Sequence, residues 1–216
     1  MKGLTRDVLI EAGLKLLDEV GLDGLTVRKL ATELGVKSPA LYWHIRTKQE
    51  LLDGMANAII LRAGMGPPRS GETWQEWLAR RARSYRASLL ASRDGARVVS
   101  AAVRGGDAVR HFERELAAMV ERGFTPVQAL RTITTLSHYI NGHVLQEQAV
   151  TAATERGENP DLSELPTLAA AVRSGSPIGD EVFEYGLTTL IRGTEAQLGA
   201  VSTDTAAIPD EYPRGV

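Results

Sequence analysis

Hydrophobic positions recur along most of this chain at the three- and four-residue spacing of one helix face. The first such stripe predicts a helix from about Thr5 that Gly21 ends, and it consists of Leu9, Ala12, Leu16 and Val20. The same pattern predicts further helices over residues 27–34, 38–45, 47–61, 73–91, 94–103, 107–122, 125–150 and 180–198. We find no convincing strand pattern and no internal repeat. The sequence therefore predicts an all-α fold.

The predicted helix starts rest on capping signals. Ser38 followed by Pro39 is typical of a cap with proline at the first helical position. Three further pairs have the spacing of a capping box, and they are Thr47 with Glu50, Thr73 with Glu76, and Thr125 with Gln128.

Segments rich in glycine and proline divide the chain into a small front part and a larger rear part. The composition of residues 62–72 predicts a linker. That of residues 151–178 predicts a long connection with a short helix near Leu168. We therefore expect a head of residues 1–48, a connecting helix over 48–61 and a helical body over 62–200. Residues 201–216 are expected to be disordered.

Composition limits the class of protein further. The 216 residues are 43% hydrophobic, which is enough for a sizeable core, and they include no cysteine. No stretch is long and apolar enough to span a membrane, and Arg6 and Asp7 interrupt any signal-peptide pattern. We therefore expect a cytoplasmic protein. Because the formal net charge is -2, nucleic-acid binding must be a local property of one surface.

Residues 30–45 have the spacing of a helix-turn-helix. A small residue (Ala31) stands where two helices would touch, and a glycine (Gly35) stands in the turn. The residues expected to be buried between the helices are Leu30, Leu34, Val36, Leu41 and Ile45. In such a motif the second helix enters the major groove of DNA with its N-terminal residues leading.

Three rings stand side by side in the stretch KSPALYWHIRTK, namely Tyr42, Trp43 and His44. With Leu41 and Ile45 turned inward, these rings are left toward solvent or DNA. Their polar atoms suit phosphates, and the neighbouring lysines suit phosphates or base edges. Spacing alone also allows a plain helical hairpin in which Trp43 packs against the fourth helix.

A second stripe suggests a small-molecule pocket in the body. Trp77, Arg81 and Tyr85 lie four residues apart on one helix face, and aromatic walls with one fixed polar group are typical of ligand pockets. The stripe is equally consistent with core aromatics and an Arg81 that reaches solvent.

The stretch LTVRKLATELGVKSPALYWHIRTKQELLDGMA closely resembles the DNA-binding head of the TetR family of repressors. The resemblance continues through GETWQEWL, RDGARV, RGF and GHVLQEQ, from about residue 5 to 198, and is strongest to the branch that contains the tetracycline repressor. It implies an Ω-shaped homodimer with two helix-turn-helix heads on a shared ligand-binding and dimerisation body. DNA contacts would fall on Arg28, Lys37, Ser38, Pro39, Ala40, Tyr42, Trp43, His44 and Lys48. Val27, Lys37 and Ser38 depart from the tetracycline repressor, which implies a different operator.

The same resemblance implies where an inducer would bind. Arg81 and Tyr85 match positions that line the tetracycline pocket, and Trp77 shares their stripe. The other matching positions are Val99, Ala102, Glu115, Leu130, Ile133, Ser137, His138 and Gln146. Val99 and Ala102 stand where the family member uses a histidine and a threonine around magnesium, and neither can serve a cation that prefers oxygen ligands. We therefore expect an apolar or aromatic inducer, whose carboxylate or phenolate Arg81 would suit, and not magnesium–tetracycline.

No metal site and no cofactor are expected. His138 and His143 are five residues apart and do not share a helix face, whereas His111 and Glu115 share a face but provide only two ligands. A solvated pair is the better interpretation of His111 and Glu115.

The last predicted helix has small residues on one stripe. Gly186 and Gly193 are a heptad apart, with Leu190 and Gln197 continuing the stripe. Such a stripe allows close packing of another helix, either within the chain or, as the resemblance implies, across a dimer with the helix over 125–150.

Taken together, these features predict a transcriptional repressor that binds operator DNA as a homodimer and releases it when a small molecule binds. Catalysis is not expected, because there is no cysteine nucleophile, no phosphate-binding glycine loop ahead of a helix and no supporting triad spacing. A ligand-independent architectural DNA-binding protein is the alternative, and it would lack any coupling between ligand and DNA.

Overall fold

The computed structural model describes residues 4–103, 105–157 and 161–201, and within these ranges the chain is helical with no strand. The helices are α1 (Arg6–Gly24), α2 (Val27–Glu33), α3 (Ser38–Leu41), α4 (Lys48–Arg62), α5 (Trp74–Leu90), α6 (Gly95–Ala101), α7 (Gly106–Val120), α8 (Pro126–Glu155), α9 (Pro166–Ser174) and α10 (Asp180–Val201). This confirms the predicted all-α fold. None of these helices is long and apolar enough to cross a membrane. The predicted disordered tail lies outside the described residues.

Local signals set most helix ends as predicted. Gly21 has φ 70° and ψ 173°, so the regular part of α1 ends there although one further turn follows. Complete capping boxes start α5 and α8, where Thr73 and Thr125 each exchange hydrogen bonds with the residue three positions later. At α4 the box is incomplete, because the Glu50 carboxylate accepts from the Arg46 N–H at 2.8 Å instead of from Thr47.

Helix α3 differs from its prediction. It is only four residues long, and its N-cap is Lys37, which has the extended backbone that Ser38 was expected to have. Ser38 is already helical, and the N-cap Lys37 makes no side-chain capping bond. The helical turn nevertheless continues past Leu41, because its carbonyl accepts from both the His44 and Ile45 N–H groups at 2.9 Å.

The turn between α2 and α3 closes with a Schellman motif. Gly35 has φ 65°, its N–H donates to the Thr32 carbonyl, and the Val36 N–H donates to the Ala31 carbonyl, both at 3.0 Å. The motif turns the chain so that Leu30, Ala31, Leu41 and Ile45 are all buried, as predicted, with Leu34 and Val36 partly buried.

Helix α4 belongs to one hydrophobic core that is continuous from head to body. Its Met55 lies against Gly13 of α1, where an added Cβ would stand 3.0 Å from the Met55 sulfur. Ile59, one turn later, is equally buried and packs in the same cluster as Trp77 of α5. This core continues across residue 48, so packing alone gives no boundary there. The division of the chain into head and body at that point stays a prediction.

Helix α6 is held by hydrogen bonds to α1 at its start and to α4 at its end. At its start Asp94 has φ 56°, and its carboxylate accepts from the Leu22 N–H at 2.8 Å. Beside it, the Arg93 N–H donates to the Asp18 carboxylate at 2.8 Å. At its end Val103 N–H donates to the Asp53 carboxylate of α4 at 3.0 Å.

Helices α8 and α10 cross closely at Gly186. The Tyr139 hydroxyl donates to the backbone carbonyls of Val182 and Phe183, at 3.2 and 2.9 Å, and burial raises the pKa of this hydroxyl. A Cβ on Gly186 would stand 2.3 Å from the Tyr139 oxygen. Gly186 therefore serves packing within the chain, whereas Gly193 faces open space.

We predict that Gly186→Ala lowers the free energy of unfolding by about 1–3 kcal/mol, because the added methyl displaces Tyr139 from its two carbonyl partners. Urea denaturation measures this difference. The matched change Arg192→Ala, at an exposed position of the same helix, should stay within about 0.5 kcal/mol. An unchanged stability for Gly186→Ala would mean that the added methyl fits without displacing Tyr139.

Candidate functional site: a head surface and a body cavity

The nine residues predicted to contact DNA form one candidate site, which we call the head surface. None of them is buried: Ser38, Ala40 and His44 are half-buried, and exposed are Arg28, Lys37, Pro39, Tyr42, Trp43 and Lys48. The buried side chains of Leu41 and Ile45 hold this stretch against the head core. The cations, hydroxyls and ring N–H groups of the head surface can therefore all meet a partner.

Trp43 is the most exposed of these side chains. It is 88% exposed, and neighbouring Tyr42 is 50% exposed. The alternative in which Trp43 packs against the fourth helix is therefore wrong. An indole in water leaves a large apolar surface uncovered, which is typical of a residue that has a binding partner.

A cavity of about 190 Å³ lies in the body, and we call it the body cavity. Helices α4, α5, α7 and α8 and the linker after α4 all contribute to its wall. The lining residues are Ile60, Leu61, Gly64, Met65, Gly66, Arg81, Tyr85, Ala108, His111, Phe112, Glu115 and Ser137. The wall is mostly apolar, with a few polar groups on α5, α7 and α8, which is the usual arrangement of a small-molecule site.

Arg81 and Glu115 form a buried ion pair in the cavity wall. The Arg81 Nε donates to Glu115 Oε1 at 3.0 Å, and Nη2 donates to Oε2 at 2.9 Å. Each residue is only 4% exposed. Because a planar guanidinium fits both carboxylate oxygens at once, the two side chains fix each other's orientation.

The linker forms part of the cavity wall and is held in place by α5. The Trp77 indole Nε1 donates to the Gly66 carbonyl at 2.9 Å. Arg80 donates to both oxygens of Glu72, at 2.7 and 2.8 Å, and this guanidinium together with the Arg69 N–H holds the pKa of the Glu72 carboxyl at about 2. The linker is thus a defined structure and not merely a spacer.

The structure brings four of the predicted pocket residues together at the cavity, and they are Arg81, Tyr85, Glu115 and Ser137. The Tyr85 hydroxyl also donates to Asn141 Oδ1 at 3.2 Å. The role of these residues in ligand binding stays a prediction.

The other predicted pocket residues lie elsewhere. Trp77 and Ile133 are in the core. Val99 and Ala102 border a separate void of only about 10 Å³ beside Ala108. Exposed positions on α8 are occupied by Leu130, His138 and Gln146, so these three do not line the body cavity of the single chain.

Sequence reasoning missed the walls made by α4, the linker and much of α7. His111 lines the cavity, and the interpretation of His111 and Glu115 as a solvated pair is wrong because Glu115 is buried against Arg81. One signal was available: the last turn of α4 places Ile60 and Leu61 directly before the linker glycines.

Comparisons with known proteins give matches along most of the chain. Residues 9–55 match the family model for bacterial regulatory proteins of the tetR family, and residues 67–198 match that for the tetracyclin repressor-like C-terminal domain. The class D tetracycline repressor protein of Escherichia coli is 42% identical over 204 residues, covering 93% of this chain and 94% of the relative.

Solved structures are similar over the same length. A possible TetR family transcriptional regulator from Streptomyces coelicolor A3(2) has a TM-score of 0.78 at 33% identity, and covers 89% of this chain and 99% of that one. TetR (class A) in complex with 5a,6-anhydrotetracycline and magnesium has a TM-score of 0.69 at 36% identity, with coverage of 89% and 99%.

We predict that Arg81→Met destabilises the fold by about 3–5 kcal/mol, because it leaves the Glu115 carboxylate buried without a partner. The double variant Arg81→Met with Glu115→Leu should recover most of this loss. Urea denaturation of the two variants at neutral pH tests the pair. Equal losses in the single and double variants would show that packing, and not the buried charge, determines the cost.

Proposed function

The chain belongs to the TetR family of bacterial transcriptional regulators, and we propose that it is a homodimeric repressor that binds a palindromic operator and is released by a small apolar or aromatic effector. The family consists of DNA-binding proteins and not enzymes, so the chain is a DNA-binding regulator. The observation that best supports the finer proposal is that one chain combines an exposed head surface with a lined body cavity.

The head surface supports operator binding. Lys48 begins α4 and Lys37 precedes α3, so cations flank the exposed rings of Tyr42 and Trp43. Cations and hydroxyls placed in this way contact phosphates, whereas the residues at the start of α3 are placed for base edges. We propose that all nine residues of the head surface contact DNA.

A groove on α5, α8 and α10 supports dimerisation. It has a volume of about 490 Å³, and its wall mixes apolar Leu136, Leu190 and Leu198 with several threonines. Gly193 lies in this groove with no atom within 4 Å of an added Cβ. We propose that the matching helices of a second copy fill it, which also gives two heads for two half-sites.

The body cavity supports effector binding, with a chemistry that differs from that of the class A relative. That relative was solved with 5a,6-anhydrotetracycline and magnesium. Here the side chains of Val99 and Ala102 contain no oxygen that could bind magnesium, and both residues border a void too small for a drug of that size. We propose an effector without magnesium.

One connection can transmit the state of the cavity to the head, and a second joins the body to the head. Ile60 and Leu61 of α4 line the cavity, and α4 continues directly into the head core at Met55. The second is at the start of α6, which does not line the cavity, where the Asp94 carboxylate accepts from the Leu22 N–H of the head. We propose that the effector favours a body conformation in which the two heads no longer match half-sites about one helical turn apart.

The alternative of an architectural DNA-binding protein has less support, because such a protein has no use for a built cavity with a buried ion pair. The two functions differ in one measurable respect. A regulator of the proposed kind loses operator affinity when the cavity is filled, and an architectural protein does not.

We expect selection from a random duplex DNA pool, with purified protein at fixed salt, to enrich a two-fold palindrome with half-sites about one helical turn apart. Tyr42→Ala and Lys48→Ala should select the same palindrome with weaker binding, and Lys48→Ala should reduce the salt dependence by about one phosphate contact. Arg110→Ala, an exposed cation on α7, is the control and should change nothing. A consensus without two-fold symmetry would contradict the dimer.

The fastening of α6 gives a separate prediction. Asp94→Gly keeps the left-handed backbone but removes the carboxylate that accepts from Leu22, so the head is held less firmly. We expect operator affinity to fall by about fivefold to tenfold, or roughly 1–1.4 kcal/mol, in titrations without any effector. Asp107→Ala, which removes a surface carboxylate of α7, serves as the control. Unchanged affinity in Asp94→Gly would show that the head position does not depend on α6.

A further inference from the structure

His143 contains a buried nitrogen atom that the protein leaves unpaired. Its side chain is 7% exposed, and Nε2 is enclosed with no hydrogen-bond partner among the described residues. This atom faces Glu147 Oε2, one turn further along α8, at 3.6 Å, which is just beyond hydrogen-bond range. Phe183 of α10 packs against the imidazole, with ring centres 5.4 Å apart. A polar atom enclosed in this way is costly unless it forms a bond.

The charged groups around His143 lack one positive charge. Arg86 of α5 donates to both oxygens of Glu147, at 3.0 and 2.6 Å, and to Asp180 Oδ1 at the start of α10, at 2.6 Å. One guanidinium therefore serves two carboxylates. Water screens much of the charge of Asp180, which is 88% exposed, but Glu147 is only 10% exposed. Because a carboxylate oxygen can accept from more than one donor, Glu147 Oε2 can bond to the imidazole without losing Arg86.

The other titratable groups around this imidazole keep their charge in the range where histidine ordinarily changes its own, between pH 5 and pH 8. The hydrogen bond to Glu147 raises the pKa of Arg86, and burial raises the pKa of the Tyr139 hydroxyl. On α10, the hydrogen bond from Arg83 lowers the pKa of Glu184. Within this cluster of described residues, the imidazole is therefore the group that can gain a charge.

From these contacts we infer that His143 is a proton-binding site, in which Nε2 takes up a proton from water as the pH falls and donates it in a hydrogen bond to Glu147 Oε2. The charged bond is about twice as strong as a neutral one. It also fixes the carboxylate that Arg86 already holds, so it strengthens the point where α5, α8 and α10 meet. These helices are the ones proposed for dimerisation, but the proton site requires neither effector nor operator.

Thermal unfolding of the full chain at pH 8 and pH 6, at one protein concentration, tests this inference. A proton that the folded state binds more tightly than the unfolded chain adds stability as the pH falls, and this stability is lost as the pH rises. We expect the melting temperature of the wild type, relative to that of His143→Phe, to rise by about 2–4 °C from pH 8 to pH 6. Phenylalanine keeps a ring beside Phe183 but cannot be protonated. The other histidines are present in both proteins, so their contributions cancel.

Further variants make the test specific to the pair of His143 and Glu147. In a Glu147→Gln background the same comparison should show no dependence on pH, because the partner carries no charge. His138→Phe, at an exposed position five residues earlier on α8, is the matched control and should differ from the wild type equally at both pH values. His143→Gln should behave as His143→Phe does, which keeps the test open if the phenylalanine variant does not fold.

Nuclear magnetic resonance of the chain with ¹⁵N-labelled histidine observes the proton directly. The signal that disappears in a His143 variant identifies the imidazole. We expect this imidazole to have both nitrogens protonated at pH 6 and only one at pH 8. The spectrum is recorded on the folded wild type, so it does not depend on the stability of the variants.

Two results would overturn the inference. A melting-temperature difference that stays constant or shrinks from pH 8 to pH 6 would mean that a neutral Nε2–H already donates to Glu147. An imidazole that stays singly protonated at pH 6 would mean that burial, and not the facing carboxylate, determines the charge of His143.

Discussion

The burial of α4 toward both halves of the molecule is the constraint on which the rest of the structure depends. Met55 packs against α1 at Gly13, and Ile59 packs into the body core one turn later. The two residues that follow Ile59 are Ile60 and Leu61, and they form part of the cavity wall. One rigid element therefore contacts the head core and the cavity, and interiors this densely packed transmit displacements instead of absorbing them. A molecule in the cavity therefore contacts α4, and any displacement of α4 also displaces the head.

Within the part of the chain that the structure describes, each buried charged side chain has a partner fixed by geometry. Arg81 with Glu115 is one case. Buried Glu147 is another, because both of its oxygens accept from the partly buried Arg86, whose guanidinium lies 4.8 Å from the Phe183 ring centre. Both arginines belong to α5. One face of this helix lines the cavity, and the opposite face packs against α8 and α10. Helix α5 thus joins the wall of the cavity to the helices proposed for dimerisation through ion pairs whose directions are set by planar groups.

Sequence reasoning succeeded where the determinants are local. The capping boxes at Thr73 and Thr125, the glycine turn at Gly35 and the buried positions of the head depend on residues a few positions apart, so spacing is sufficient to predict them. It failed where residues distant in sequence decide. The partner of Arg81 is 34 residues away, and nothing in the spacing distinguishes it from other acidic residues of α7.

The buried pair of Arg81 and Glu115 also bears on how such a regulator can diverge. Changing either residue alone leaves an unpaired charge inside the protein, whereas changing both together restores a neutral wall. The two positions are therefore expected to be strongly epistatic, with the single replacements depleted among descendants because they fold poorly. A lineage that adopts effectors of a different charge must pass through a destabilised single variant or first acquire extra stability elsewhere. We therefore expect these two positions to change more slowly, and together, than the apolar positions of the cavity wall.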